Sequence, residues 1–142
     1  MIDYIPLQIS FKKSLYLKKL TGSLNWETTQ PFTIIVNGPK HSQYPVKVKK
    51  GFKTDLASVP KALWSIFPNS GKYTEAAVVH DYMYYNAGTY DKGFADAVFH
   101  QMLCDSGLSK FKAYIMLKGV TFFGGSIYNK YLENRNNTTI QN

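Results

Sequence analysis

A histidine and an aspartate stand side by side in the apolar run Ala76-Ala77-Val78-Val79-His80-Asp81-Tyr82-Met83-Tyr84-Tyr85-Asn86. A neutral imidazole held by a carboxylate is the pairing that takes a proton from water in general-base chemistry. Tyr84 follows His80 by four residues, a spacing that puts both on one face of a helix. Asp81 is rotated from His80 by about 100° and points to a neighbouring surface. Burying an imidazole and a carboxylate among alanines and valines costs several kcal/mol unless partners satisfy them. Those partners must come from elsewhere in the chain.

Two carboxylates are candidates. Asp96 is the only acid inside Phe94-Ala95-Asp96-Ala97-Val98-Phe99-His100-Gln101-Met102-Leu103, and it aligns with Phe99, His100 and Leu103 at the spacing of a buried helical face. A carboxylate on such a face needs a cation, a metal or several donors, and His80 and Tyr84 on the preceding helix can supply donors. Asp55 lies in the mostly uncharged stretch Gly51-Phe52-Lys53-Thr54-Asp55-Leu56-Ala57-Ser58-Val59-Pro60. It is either a turn aspartate bonding its own backbone or a ligand or orienting carboxylate presented beside His80 or Asp81. Asp96, in turn, is either part of a chemical site or part of a buried Asp–His–Tyr network without chemistry. His100 reads as a core or rim histidine, and His41 sits in a polar loop without signal.

The elements that must position these groups can be read in order. Leu7-Gln8-Ile9-Ser10-Phe11 alternates with period two, as a half-buried strand does. Lys12–Leu17 follows as a second strand after a bend, Thr21-Gly22-Ser23 is a turn, and Trp26 anchors the next strand. Pro31–Val36 is β-branched and ends on the turn Asn37-Gly38-Pro39. Tyr44–Lys49 alternates with valines inward and lysines outward, so the expectation is a small antiparallel sheet with one wet face. Ser58 reads as a helix N-cap and Pro60 as a first-turn proline for the short helical run 61–67, which Pro68-Asn69-Ser70-Gly71 stops. A helix around His80 and a second over 91–103, capped by Thr89 or Asp91, form an antiparallel pair because their connection is short. The last helix runs from about Ser109 to Leu132, with close packing, a kink or a break expected at Gly119, Gly124 and Gly125. The fold class is α+β: an N-terminal sheet, then three or four helices, in one domain over 1–133 followed by a polar, mobile tail over 134–142.

Composition limits the partners. A chain of 142 residues with 44% hydrophobic content is about one domain. One cysteine, Cys104, excludes an internal disulfide framework and a cysteine-clustered zinc site. No run reaches the ~20 apolar residues of a membrane span. The start, with Asp3 and Pro6, lacks a signal-peptide pattern, so synthesis in a cytoplasm, without export, is expected. Residues 1–53 carry nine lysines against Asp3 and Glu27, a balance of +7, whereas residues 54–142 balance at +1. Such a basic half could meet nucleic acid, an anionic membrane or an acidic protein, or consist of solvated edge lysines that discourage aggregation. Nucleic acid is disfavoured because Arg135 is the single arginine.

Two resemblances follow from the motifs. The run Gly51-Phe52-x-Thr54-Asp55-x-Ala57-Ser58-x-Pro60, then Ala76-Ala77-x-x-His80-Asp81-x-x-Tyr84, then Ala95-Asp96-x-x-Phe99, resembles the bacteriophage and prophage family catalogued as domain of unknown function 1353. That resemblance implies a phage or prophage origin, incorporation in a virion among the expectations, and no established activity. His80-Asp81-x-x-Tyr84 with a downstream helical Asp96 is similar to the small bacterial phospholipases A2. It implies His80 as the base for water, Asp96 with Tyr84 as the orienting pair, and Asp81 with Asp55 as ligands of calcium. Calcium suits hard oxygen ligands and would polarise an ester carbonyl; no organic cofactor is implied. The glycine-rich calcium loop and flanking cysteines of that family are absent, and a sheet precedes the helices.

Two functions are therefore carried forward. One is a metal-assisted hydrolase acting on a phospholipid or other ester; a zinc peptidase or amidase ranks below it, because one histidine beside carboxylates is a poor zinc set. The other is a non-catalytic virion, tail or assembly component, docking to other phage proteins through its basic half, whose His–Asp network is structural. An enzyme needs the His80 ring open to a cleft, whereas a structural network is sealed.

Overall fold

The structure, a computed structural model, describes residues 7–12, 14–22, 25–56, 58–66 and 71–140. Expectations resting on the first six residues, Lys13, Ser23, Ala57 and the helix stop at Pro68-Asn69-Ser70 lie outside the described residues. The chain divides into two compact units, Met1–Asp55 and Leu56–Asn142.

The first unit holds two three-stranded antiparallel sheets where the strand pattern predicts one. Strands β1 (Gln8–Phe11), β4 (Phe32–Gly38) and β5 (His41–Val48) form one sheet in the order β1-β4-β5; β2 (Leu17–Lys19), β3 (Trp26–Thr28) and β6 (Lys53–Thr54) form the other in the order β2-β3-β6. Alternation decides which faces are buried. Phe32, Ile34 and Val36 of β4 lie opposite Val48, Val46 and Tyr44 of β5, and the two valines are buried while Lys47 is exposed. The second sheet arises because Gly51, at φ 83°, turns the chain back onto β3. Thr28 secures that return: its Oγ1 donates to the Lys49 carbonyl (2.7 Å) and accepts from the Phe52 amide (2.9 Å). A strand as short as β6 has too few residues to register as an alternating pattern.

The second unit is helical. A 3-10 segment (Lys61–Ile66) precedes α1 (Gly71–Tyr85), α2 (Lys92–Asp105), α3 (Lys110–Phe123) and α4 (Gly125–Ile140), so the α+β class holds with four α-helices. Every residue of α1 from Ala76 to Tyr84 is buried, so its polar members must find partners inside the protein. Helix α2 buries Ala95, Asp96, Val98, Phe99, Met102 and Leu103, the face that its sequence spacing picks out. Asp91 is its N-cap residue by position but makes no side-chain cap bond. Ser109 does cap α3, accepting from the Lys112 amide at 3.3 Å.

The last helical stretch is broken at Gly124, one of the three glycines where a break is among the expectations, into α3 and α4. A Cβ built there would collide with the Tyr84 hydroxyl and the Val120 carbonyl, so only glycine lets the end of α3 come this close to α1. Helix α4 then continues to Ile140, through most of the polar segment read as a tail from sequence. Extension adds one backbone bond per residue once the first turn exists, and Thr138 Oγ1 also donates to the Asn134 carbonyl (2.9 Å).

These glycines make opposite predictions. Gly124→Ala forces a displacement of Tyr84 or of the α3 end and is expected to cost about 1–3 kcal/mol in urea unfolding. Gly93→Ala, where an added Cβ meets nothing within 4 Å, is expected to be neutral or to stabilise by up to about 1 kcal/mol.

Candidate functional site

Burial of His80 on α1 obliges both ring nitrogens to find partners, and both do. Nε2 lies 2.7 Å from Asp96 Oδ1 on α2, and Nδ1 lies 3.0 Å from Ser58 Oγ. With the ring neutral, Nε2–H donates to the carboxylate and Nδ1 accepts the Ser58 hydroxyl proton. Tyr84, one turn along α1, donates its hydroxyl to the same Asp96 Oδ1 at 2.7 Å. The sequence expectation of His80, Tyr84 and Asp96 meeting across two helices is thus realised in the geometry. Phe99 and Tyr84 flank the imidazole, with ring centroids 4.7 and 4.2 Å away.

Lys92, to which the sequence reading assigns no role, completes the cluster. Its Nζ donates to Asp96 Oδ2 at 2.7 Å and to the carbonyls of Val120 and Thr121 at 3.2 Å each. One ammonium therefore joins the buried carboxylate to the last turn of α3, where the helix dipole favours a cation. The i, i+4 spacing of Lys92 and Asp96 was the available signal. Among the described residues no buried side-chain nitrogen or oxygen lacks a partner.

Electrostatics follow from this arrangement. Burial alone would push the Asp96 carboxyl up; hydrogen bonds from His80, Lys92 and the Tyr84 hydroxyl outweigh it and hold the group below the ordinary carboxylate value. Burial, reinforced by the neighbouring Asp96 charge and its hydrogen bond, pushes the Tyr84 phenol far up, so it remains a donor. His100 lies outside this cluster, its Nε2 3.7 Å from Cys104 Sγ, and burial lowers its basicity.

Ser58 is the residue the sequence reading misplaces. Instead of capping a helix, it meets two consecutive residues of α1: its hydroxyl faces His80 and its amide donates to Asp81 Oδ1 at 3.2 Å. Leu56, two residues earlier, has φ 61°, a left-handed conformation that costs a leucine about 1–2 kcal/mol and is held by the turn bond from the Val59 amide to its carbonyl (3.1 Å).

The two residues expected as calcium ligands belong to different units. Asp81 is buried in the second unit with an oxygen on the Ser58 amide, and Asp55 is an exposed residue just after β6 in the first unit. Among the described residues no three His, Cys, Asp or Glu side chains are grouped to hold a metal ion.

Serine, histidine and aspartate in series are the parts of an acyl-transfer relay. Here they are closed off: Ser58 and His80 are each 0% exposed and Asp96 4%. A substrate carbonyl reaches the Ser58 hydroxyl only if the segment carrying it moves.

A family model described as Protein of unknown function (DUF1353) matches residues 26–120. No curated protein and no solved structure matches the chain.

Asp96→Asn removes the charge while Lys92 stays in place, and a buried pair broken on one side costs about 3–5 kcal/mol. The lowered carboxyl contributes stability that is complete above the unfolded value near pH 4 and disappears as pH falls through the native value. Melting curves between acid and neutral pH should therefore show a loss of wild-type stability below about pH 4, and a shallower loss in Asp96→Asn.

Proposed function

We propose, for a chain that belongs to the family described as Protein of unknown function (DUF1353), a non-catalytic role as a binding or assembly component. In this reading Ser58, His80, Asp96, Tyr84 and Lys92 lock the helices of the second unit together, and the protein works through its surface. The observation that carries it is the complete burial of the Ser58 hydroxyl and the His80 ring, with every buried polar atom of the cluster satisfied. A general base must come within hydrogen-bond reach of the proton it takes, and nothing outside the protein touches this one. The setting, a phage particle or its assembly, rests on the motif resemblance.

One observation favours a second reading. The Ser58 hydroxyl occupies the Nδ1 side of His80 while Asp96 holds Nε2, an order that serves ester hydrolysis if the 56–60 segment lifts. Ser58 Oγ would add to the ester carbonyl as its proton passes to His80 Nδ1. The alcohol would leave with that proton, and water would release the acid. Water activated directly by His80, as in the phospholipase resemblance, would need the place that Ser58 fills.

A fluorophosphonate probe and phospholipid vesicles, with and without calcium, separate the readings. The non-catalytic role predicts no adduct on the Ser58 peptide by mass spectrometry and no fatty acid release above buffer. His80→Ala should then only lower the melting temperature. An adduct at Ser58 that vanishes in His80→Ala, or lipid cleavage that does so, decides for the hydrolase.

A further inference from the structure

Helix α3 buries Ala113, Met116, Gly119 and Val120 along its inner side. The opposite side of such a helix is ordinarily charged or polar, but here it carries Phe111, Tyr114, Lys118 and Phe122, which recur at the three- and four-residue spacings of one face. Phe111 is 72% exposed, Phe122 76% and the adjoining Phe123 68%. No acid occurs between Lys110 and Phe123, whereas Lys110, Lys112 and Lys118 all do. Lys118 Nζ lies 5.4 Å from the Tyr114 ring centroid, placing the charge among the aromatics. Phe122 and Phe123 stand at the corner where Gly124 ends the helix.

We infer that this outer face of α3 docks on an anionic lipid surface, with the phenylalanines entering the headgroup layer and the lysines meeting phosphates. Charge and shape select that occupant. A second copy in a two-fold dimer would set this acid-free, lysine-bearing face against itself, a like-charge juxtaposition. Side chains this exposed can enter a yielding layer that is anionic at its surface and apolar beneath. Aromatic and basic residues sharing a helix are the usual makeup of an interfacial helix, and lysines near an anionic leaflet each add attraction. The docking is peripheral: among the described residues no helix is long and apolar enough to cross a membrane. The inference stands on this face alone and holds whether or not the buried cluster is catalytic.

Sedimentation with sucrose-loaded vesicles tests it, using phosphatidylcholine alone or mixed equally with phosphatidylglycerol. The wild-type chain should pellet with the mixed vesicles and not with phosphatidylcholine alone. Phe122→Ser with Phe123→Ser should lower the partition coefficient about tenfold or more, and Lys118→Glu about fivefold or more. Circular dichroism and melting curves confirm that these exposed replacements leave the fold intact. Wild-type partitioning by the phenylalanine variant would assign the binding to other lysines and overturn the inference. So would a failure of the wild-type chain to pellet, whether it instead forms a dimer that the same replacements dissolve or binds an acidic peptide such as polyglutamate.

Discussion

A carboxylate with almost no access to water is the constraint around which the helical unit is arranged. Asp96 has two oxygens to satisfy, and three donors converge on them from two helices: His80 and Tyr84 from α1 and Lys92 from α2 itself. Desolvating a charge is costly enough that it survives only with such company. The same ammonium spends its other protons on the closing carbonyls of α3, so three helices are tied through one anion. Gly124 belongs to this design because any side chain there would strike Tyr84. Tyr128 of α4 extends it: its ring meets Tyr84 edge-on at 5.4 Å, and its hydroxyl donates to the Tyr90 carbonyl (2.6 Å) while accepting from the Gly88 amide (3.1 Å).

The neighbouring grip on Ser58 explains how an acid-base pair becomes sealed. His80 and Asp81 point in different directions from the helix, yet one loop residue answers both, because its hydroxyl and its amide also point apart. The left-handed Leu56 shows that the loop accepts a backbone cost to reach this position. Chemistry and structure draw on the same parts here. A serine on an imidazole held by a carboxylate can either transfer an acyl group or simply fill a cavity with matched donors and acceptors, and accessibility decides between them.

Much of this was legible residue by residue. Helical spacing alone pairs His80 with Tyr84, and the isolation of Asp96 among apolar neighbours marks it as needing donors; both follow from the cost of burying unpaired polarity. The α+β class is equally readable, since period-two alternation gives way to helical spacing after residue 60. Less visible were β6, too short to show alternation, and the extension of α4 into a segment whose polarity argued for a tail. Ser58 and Lys92 escaped because a serine two residues before a proline and a lysine at a helix start each have an ordinary local explanation. The expected calcium ligands, Asp55 and Asp81, were joined by resemblance rather than by any spacing.

What the chain order itself determined is which groups could not be left alone: an imidazole, a phenol and a carboxylate set at helical intervals in apolar surroundings must meet partners wherever they fold. Which partners those are, and whether water or substrate can reach them, was decided only in three dimensions. Local periodicity specifies the face on which a side chain lies, but it carries no information about what a distant loop presents to that face. Ser58 closes over His80 through contacts 22 residues apart, and only tertiary packing sets that meeting.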